Sequence, residues 1–312
     1  NESSSKGLRL SALMAVGASG ARKHIPVVLD AIKGLTIFEK EEIVDSLSRS
    51  VSGANLLLEG VTQNSISSDS ILPGVLERMA ELLPDNATMQ KLWIEEAKSL
   101  PRALHLADKP DQFSATNLSL SGEFTLEVWV RLAEGITNAD GILGHPGGAD
   151  LNFHDSRARF YGGPELGDIV IANRAMVAGI WTHLALSRDQ DGIFRLYLDG
   201  ELDSTGTKRF LGVFSDLDLG RTSPPQGGTH GDLLEFRLWD YARSNLEIRS
   251  CFRRRLGPEL KGLMNYFPEG GDHTKLQGGA RIMPMASSPK LHDELAAAKQ
   301  EKELARFRSI AE

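Results

Sequence analysis

The sequence predicts a mainly β protein: an antiparallel β-sandwich of the jelly-roll kind, preceded by a helical segment and followed by one further helix. Three observations predict it. Apolar residues recur at helical intervals through residues 1–100. From Ala103 the period drops to two. Gly and Pro then cluster between the alternating runs, at Pro146-Gly147-Gly148, Gly162-Gly163-Pro164 and Pro224 to Gly228. Short alternating strands divided by such turns pack as antiparallel layers and not as a parallel sheet wrapped by helices. The boundaries that follow are 1–100 helical, 101–284 sandwich, and 285–312 amphipathic helix or linker.

In the helical segment, Leu8, Leu10, Leu13, Met14 and Val16 form a first apolar face before Gly17 and Gly20. Ile25, Val28, Leu29 and Ile32 form a second, closed by Gly34, with Pro26 in the first turn where its missing N–H costs nothing. Ile43, Val44, Leu47 and Val51 predict a third helix ending near Gly53, and Leu56, Leu57, Leu58 and Val61 a fourth. Leu72, Val75, Leu76, Met79, Leu82 and Leu83 predict a fifth. Asp85 or Asn86 caps a sixth, which carries Met89, Leu92, Trp93 and Ala97. A helix pair cannot bury its own apolar face, so such pairs stack. The segment resembles the end of a HEAT-like array, or a small helical cap.

In the sandwich, Phe124, Leu126, Val128, Val130 and Leu132 alternate with Thr125, Glu127, Trp129 and Arg131. Leu234, Phe236 and Leu238 alternate with Glu235, Arg237 and Trp239. Each set is a strand with one apolar face. Trp181 to Asp189 and Phe194 to Leu202 predict two further strands, the second entering an Asp199-Gly200 turn. Asp-Gly between alternating strands favours a type I′ turn, whose two central residues need positive φ. After Ser287-Ser288-Pro289, residues Leu291, Leu295, Leu304, Phe307 and Ile310 lie at helical spacing among Lys and Glu.

Several chemistries are excluded by composition. The chain has 312 residues and a net charge of −7, which gives no general attraction to nucleic acid. The basic run of Arg249, Arg253, Arg254 and Arg255 reads as the solvated end of a short helix. Cys251 is the only cysteine, so there is no intrachain disulfide, Cys-x-x-Cys metal site or haem attachment, and it reads as a small packed side chain. No apolar run approaches the ~20 residues that span a bilayer. The first residue is Asn1 and the last residues still read as helix, which suggests a piece of a longer polypeptide.

Taken in order, several runs resemble a laminin-G-like jelly roll of the concanavalin A-like group. They are Ala103-Leu104-His105-Leu106 with Asp108, Phe124 to Arg131, the Trp181 and Asp199-Gly200 segments, Leu217 to Arg221, Gly231 to Trp239, and Leu263 to Gly270. The resemblance covers Pro101 to Pro284. It implies two packed antiparallel sheets and a non-catalytic recognition role, since members bind sugars, proteins or calcium, or are purely structural. Helical repeats, this sandwich and a trailing helix together resemble large exported bacterial proteins. That implies an extracytoplasmic location and neighbouring domains in the same polypeptide.

Glycoside hydrolysis needs two carboxyls flanking the scissile bond, and each alternating strand offers one on its polar face, Glu127 or Glu235. There is no Gly-x-Ser-x-Gly, no metal-ligand spacing among His145, His154, His183 and His230, and no phosphate loop before a helix. His183 reads as a packed strand histidine. Calcium is the one cofactor raised. Asp150, Asp155, Asp216 and Asp218 lie near strand ends or loops, and the alternative is that they are solvated loop acids. The other expected site is the polar face of two strands, where Glu127, Trp129, Arg131, Glu235, Arg237 and Trp239 would form a ligand-binding surface for glycan or protein. The competing expectation is that the helical segment or the trailing helix covers this face. Three functions therefore stand in order: a recognition module, a structural spacer, and a sandwich-fold hydrolase with carboxylates from separate strands.

Overall fold

A computed structural model describes residues 11–15, 25–33, 35–67, 71–256, 260–267, 275–289 and 292–293. They divide into two compact units, one within Asn1–Leu100 and Pro284–Ser287, the other within Pro101–Met283 and Ser288–Glu312.

The first unit is helical: α1 (Ile25–Lys33), α2 (Ile37–Leu47), α3 (Val51–Thr62), α4 (Pro73–Leu82) and α5 (Ala87–Ala97). Its starts are set by short polar side chains. Thr36 and Glu39 form a reciprocal capping box on α2, Ser50 caps α3, and Asn86 accepts from the Met89 N–H at 3.0 Å to cap α5. Val28, Ile32, Ile43, Leu47, Leu57 and Met79 are among the residues of one apolar core. One boundary differs from expectation. The third helix stops at Leu47, and Val51 and Gly53 open the next one. Gly53 is not a terminator: a Cβ there would stand 2.1 Å from the Leu47 carbonyl oxygen, so glycine lets the end of α2 close onto α3. Leu8, Leu10, Val16, Gly17, Gly20 and Gly34 lie outside the described residues.

The second unit is the two-sheet antiparallel sandwich. The first sheet contains β1 (Arg102–Ala107), β3 (Phe124–Leu132), β8 (Thr182–Arg188), β9 (Ile193–Leu198), β10 (Glu201–Arg209), β12 (His230–Trp239) and β16 (Arg281–Pro284). Their spatial order is β10-β9-β8-β3-β12-β1-β16, with β14 (Leu263–Phe267) also paired to β12. The second sheet contains β2 (Phe113–Leu120), β4 (Gly141–Gly144), β5 (Asp150–His154), β6 (Arg157–Tyr161), β7 (Asp168–Ala175), β11 (Phe214–Leu219) and β15 (Leu276–Gln277). Its order is β15-β2-β11-β4-β5-β6-β7. Between the sheets, Leu126, Val128, Leu186 and Phe194 of the first meet Leu143, Phe153, Phe160 and Leu217 of the second. The Asp199-Gly200 turn has the expected geometry, with φ of 51° and 82°.

The expected alternation fails in one strand. Glu235 has φ of 56°, and the β12–β3 register shifts between Leu234 and Arg237. This bulge turns the strand over. Leu233 joins Phe236 and Leu238 in the core, while Leu234 faces outward opposite Trp129. Of the helix expected over 285–312, residues 285–289 are turn and coil and His292–Asp293 form a short strand, β17, parallel to β13 (Arg254–Arg255). Residues 294–312, with Leu295, Leu304, Phe307 and Ile310, lie outside the described residues, as does Leu291.

Candidate functional site

The strands β3 and β12 are paired, as the polar-face expectation required, with Glu127 opposite Arg237 and Trp129 opposite Leu234. A cover over this face was the competing expectation, but it comes from neither the N-terminal helical segment nor the trailing helix. Helix α6 (Asn245–Cys251) and the residues that follow it lie across this outer face. Ile248 is fully buried against Ala185 and Tyr197. The Trp129 Nε1–H donates to the Phe252 carbonyl at 2.9 Å, and the two rings stack with centroids 5.8 Å apart. Arg243 bonds Glu127 and lies over the Trp239 ring at 4.4 Å. Glu127, Trp129, Glu235, Arg237 and Trp239 are therefore buried, and the expectation of an open indole shelf is corrected. The cover belongs to the sandwich unit itself. It was legible as Ser244-x-x-Glu247, the capping-box pattern before an apolar residue, and both reciprocal bonds of that box are present.

Beneath the cover lies a buried ionic cluster. Burial pushes the Glu127 carboxyl up, but His183, its Nε2 3.4 Å away, and the nearby Arg237 and Arg243 outweigh it, leaving the group at about 2. Burial in turn lowers His183 below its ordinary value. Glu235 pairs with Arg237 at 2.9 Å, and Arg255 Nε approaches Glu235 at 3.6 Å, so part of the basic run is drawn inward. Arg131 sits at the margin of the face, paired with Asp232 at 2.8 Å and lying over Trp181 at 5.1 Å.

The four aspartates are not assembled into a cage. Asp155 is exposed in the β5–β6 turn, and Asp216 is exposed at a positive φ of 58°. Asp218 accepts from the Asn117 N–H at 3.2 Å and pairs with Arg221 at 3.0 Å. Asp150 is fully buried. Its Oδ2 accepts from Thr222 Oγ1 at 2.8 Å and the Ser223 N–H at 2.6 Å, while its Oδ1 has no hydrogen-bond partner. Burial raises this carboxyl to about 6, against the bonds from Ser223 and Thr222. Among the described residues no three His, Cys, Asp or Glu side chains converge on a metal position. Asp155 and Asp216 stand exposed, and Asp150 Oδ2 and both oxygens of Asp218 are committed to protein partners, which does not fit a calcium cage built from these four.

The sandwich unit also carries open grooves. The larger, about 660 Å³, runs between the β8–β9 turn and residues 242–246. Glu123, Asp189, Gln190 and Asp191 line one side, Asn245 and Leu246 line the other, and the buried Ser187 and Tyr197 also line it. The turn is rigid by construction. Asp189 Oδ1 accepts the N–H groups of Asp191 and Ile193, each at 3.0 Å, and Oδ2 pairs with Arg195 at 2.7 Å. Burial raises the Asp189 carboxyl, but the Ile193 N–H and Arg195 bring it below the ordinary value. A second groove, about 460 Å³, lies among the 145–149, 162–166 and 210–215 loops, with His145, Glu165 and Phe210 in its lining. None of these lining residues was singled out for binding by sequence alone.

The family model described as the concanavalin A-like lectin/glucanases superfamily matches residues 108–249. A concanavalin A-like jelly-roll domain occupies that stretch. No curated protein sequence matches the chain. Among solved structures, a candidate carbohydrate binding protein from Bacteroides ovatus is 19% identical, with 61% of each chain covered and a TM-score of 0.48. The chain thus spans 61% of that protein's length. Domain 4 of an extracellular arabinanase from Geobacillus stearothermophilus, solved with arabinotriose, is 19% identical, with 47% of this chain and 71% of that chain covered and a TM-score of 0.36. A heptameric SAP-like pentraxin from Limulus polyphemus is 12% identical, with 60% and 98% covered and a TM-score of 0.43.

Proposed function

We propose that the jelly-roll domain is a non-catalytic carbohydrate-recognition module of a larger exported protein, and that its ligand seat is the groove beside the β8–β9 turn. The observation that carries this is the groove's lining. Carboxylate, amide and guanidinium groups stand beside buried Tyr197 and Ser187. Planar polar side chains of this kind bridge neighbouring sugar hydroxyls, and a seat held by a braced turn loses little entropy on binding. The lectin-type family match over 108–249 supports the same reading. Glycoside hydrolysis needs a carboxyl kept protonated by an apolar wall facing a second one. Glu123 and Asp191 are exposed, and Asp189 is engaged by its turn and Arg195.

The helical unit serves in this proposal as the end of a stacked-helix array in the same polypeptide, and an extracytoplasmic setting is where such modules meet glycans. A glycan array followed by calorimetry tests the seat. Gln190→Ala with Asn245→Ala removes two exposed amides that line the groove and should weaken binding at least about tenfold, as expected for two lost hydrogen bonds. Unchanged affinity would remove the groove from the proposal. The covered indole face favours a second reading, a structural spacer, which predicts no saturable glycan binding at all.

A further inference from the structure

We infer that this groove accepts neutral or amino-bearing oligosaccharides and rejects anionic ones; the inference rests on the recognition reading above. The charges lining the groove are unequal in availability. Both guanidinium groups there are already engaged: Arg195 by Asp189 at 2.7 Å, and Arg243 by the buried Glu127. Of the carboxylates, Asp189 is matched by Arg195, while Glu123 and Asp191 are exposed and have no ion pair among the described residues. The surplus in the groove is therefore negative, in a chain whose net charge is −7.

A uronate or sulfate group entering the groove meets two uncompensated carboxylates and no uncommitted cation. Like-charge juxtaposition of this kind is how interfaces reject the wrong partner. Sugar hydroxyls meet the opposite situation. Exposed carboxylates accept from them, and Gln190 and Asn245 offer both donors and acceptors. An ammonium on the sugar would add charge-assisted bonds to Glu123 or Asp191.

The test uses the full chain on an array carrying neutral, amino-bearing, uronate and sulfated oligosaccharides, with calorimetry on the hits. All hits should be free of anionic groups. An amino-bearing ligand should bind about tenfold tighter than its N-acetylated form at about 50 mM salt, with most of that preference lost at about 500 mM. Glu123→Gln with Asp191→Asn should erase the amine preference and admit uronate ligands. An anionic ligand that binds the unaltered chain and is weakened by Gln190→Ala with Asn245→Ala would overturn the inference while leaving the recognition reading intact. An amine preference that survives the Glu123 and Asp191 substitutions would do the same. Absence of hits, or hits indifferent to the Gln190 and Asn245 substitutions, would overturn the recognition reading itself.

Discussion

Replacing Asp150 by Asn should stabilise the sandwich at neutral pH and have little effect in acid. Asp150 lies on the outer side of the second sheet, fully buried beneath the Arg221–Ser223 segment, with one oxygen bonded to Thr222 and Ser223 and the other unpartnered. Burial raises its folded-state pKa from 3.8 to about 6. Protons are thus held more tightly in the folded state than in the unfolded one. Below pH 3.8 both states are protonated and the group is neutral in its effect. As pH rises through 3.8 toward 6, the unfolded chain ionises first and the fold loses stability; above about 6 the loss is complete. At ~1.36 kcal/mol per pH unit, the gap is worth about 3 kcal/mol. Asn keeps an acceptor oxygen for Ser223 and Thr222 and never ionises. Urea unfolding followed between pH 4 and pH 8 should show the variant gaining on the parent by up to about 3 kcal/mol as pH rises. Parallel curves for the two proteins, or a variant that is weaker at pH 8, would refute the reasoning.

Other outcomes follow from the same packing. Glu127→Gln leaves Arg237 and Arg243 buried without their shared carboxylate and should cost about 3–5 kcal/mol by urea titration. In the parent, the Glu127 contribution is present above pH 4.5 and should be lost as pH falls toward about 2, the reverse of Asp150. Ile248→Ala should cost about 2–5 kcal/mol and raise acrylamide quenching of Trp129, which in the intact protein is shielded by Phe252. Gly53→Ala should lower the melting temperature of the helical unit despite alanine's gain of about 1 kcal/mol in helix propensity, because the new Cβ meets the Leu47 carbonyl.

Much of the architecture was readable because it depends on period and turn chemistry. The alternation in β3, the Asp199-Gly200 turn and the Asn86 cap each have a local cause, and each is present. The differences came where backbone path and packing decide, not side-chain period. Nothing near Gly53 in sequence announces that the Leu47 carbonyl will press on it. The Glu235 bulge moves Leu233 inward and Leu234 outward with no signal beyond an adjacent Leu pair. The indole shelf looked like a binding surface because its alternation is real. Its cover comes from a 7-residue helix too short to stand out by periodicity, though Ser244 and Glu247 marked its start.

Two layers with apolar rows facing inward are written in the order of the amino acids, since side-chain period depends only on neighbours along the chain. Which outer face is closed and how Asp150 is satisfied are not, because those depend on residues brought together from far along the chain, 116 positions apart for Arg243 and Glu127 and 72 for Thr222 and Asp150. Arg243 covers Trp239 and Phe252 covers Trp129, and the groove proposed for recognition has lining residues with no shared signature in sequence.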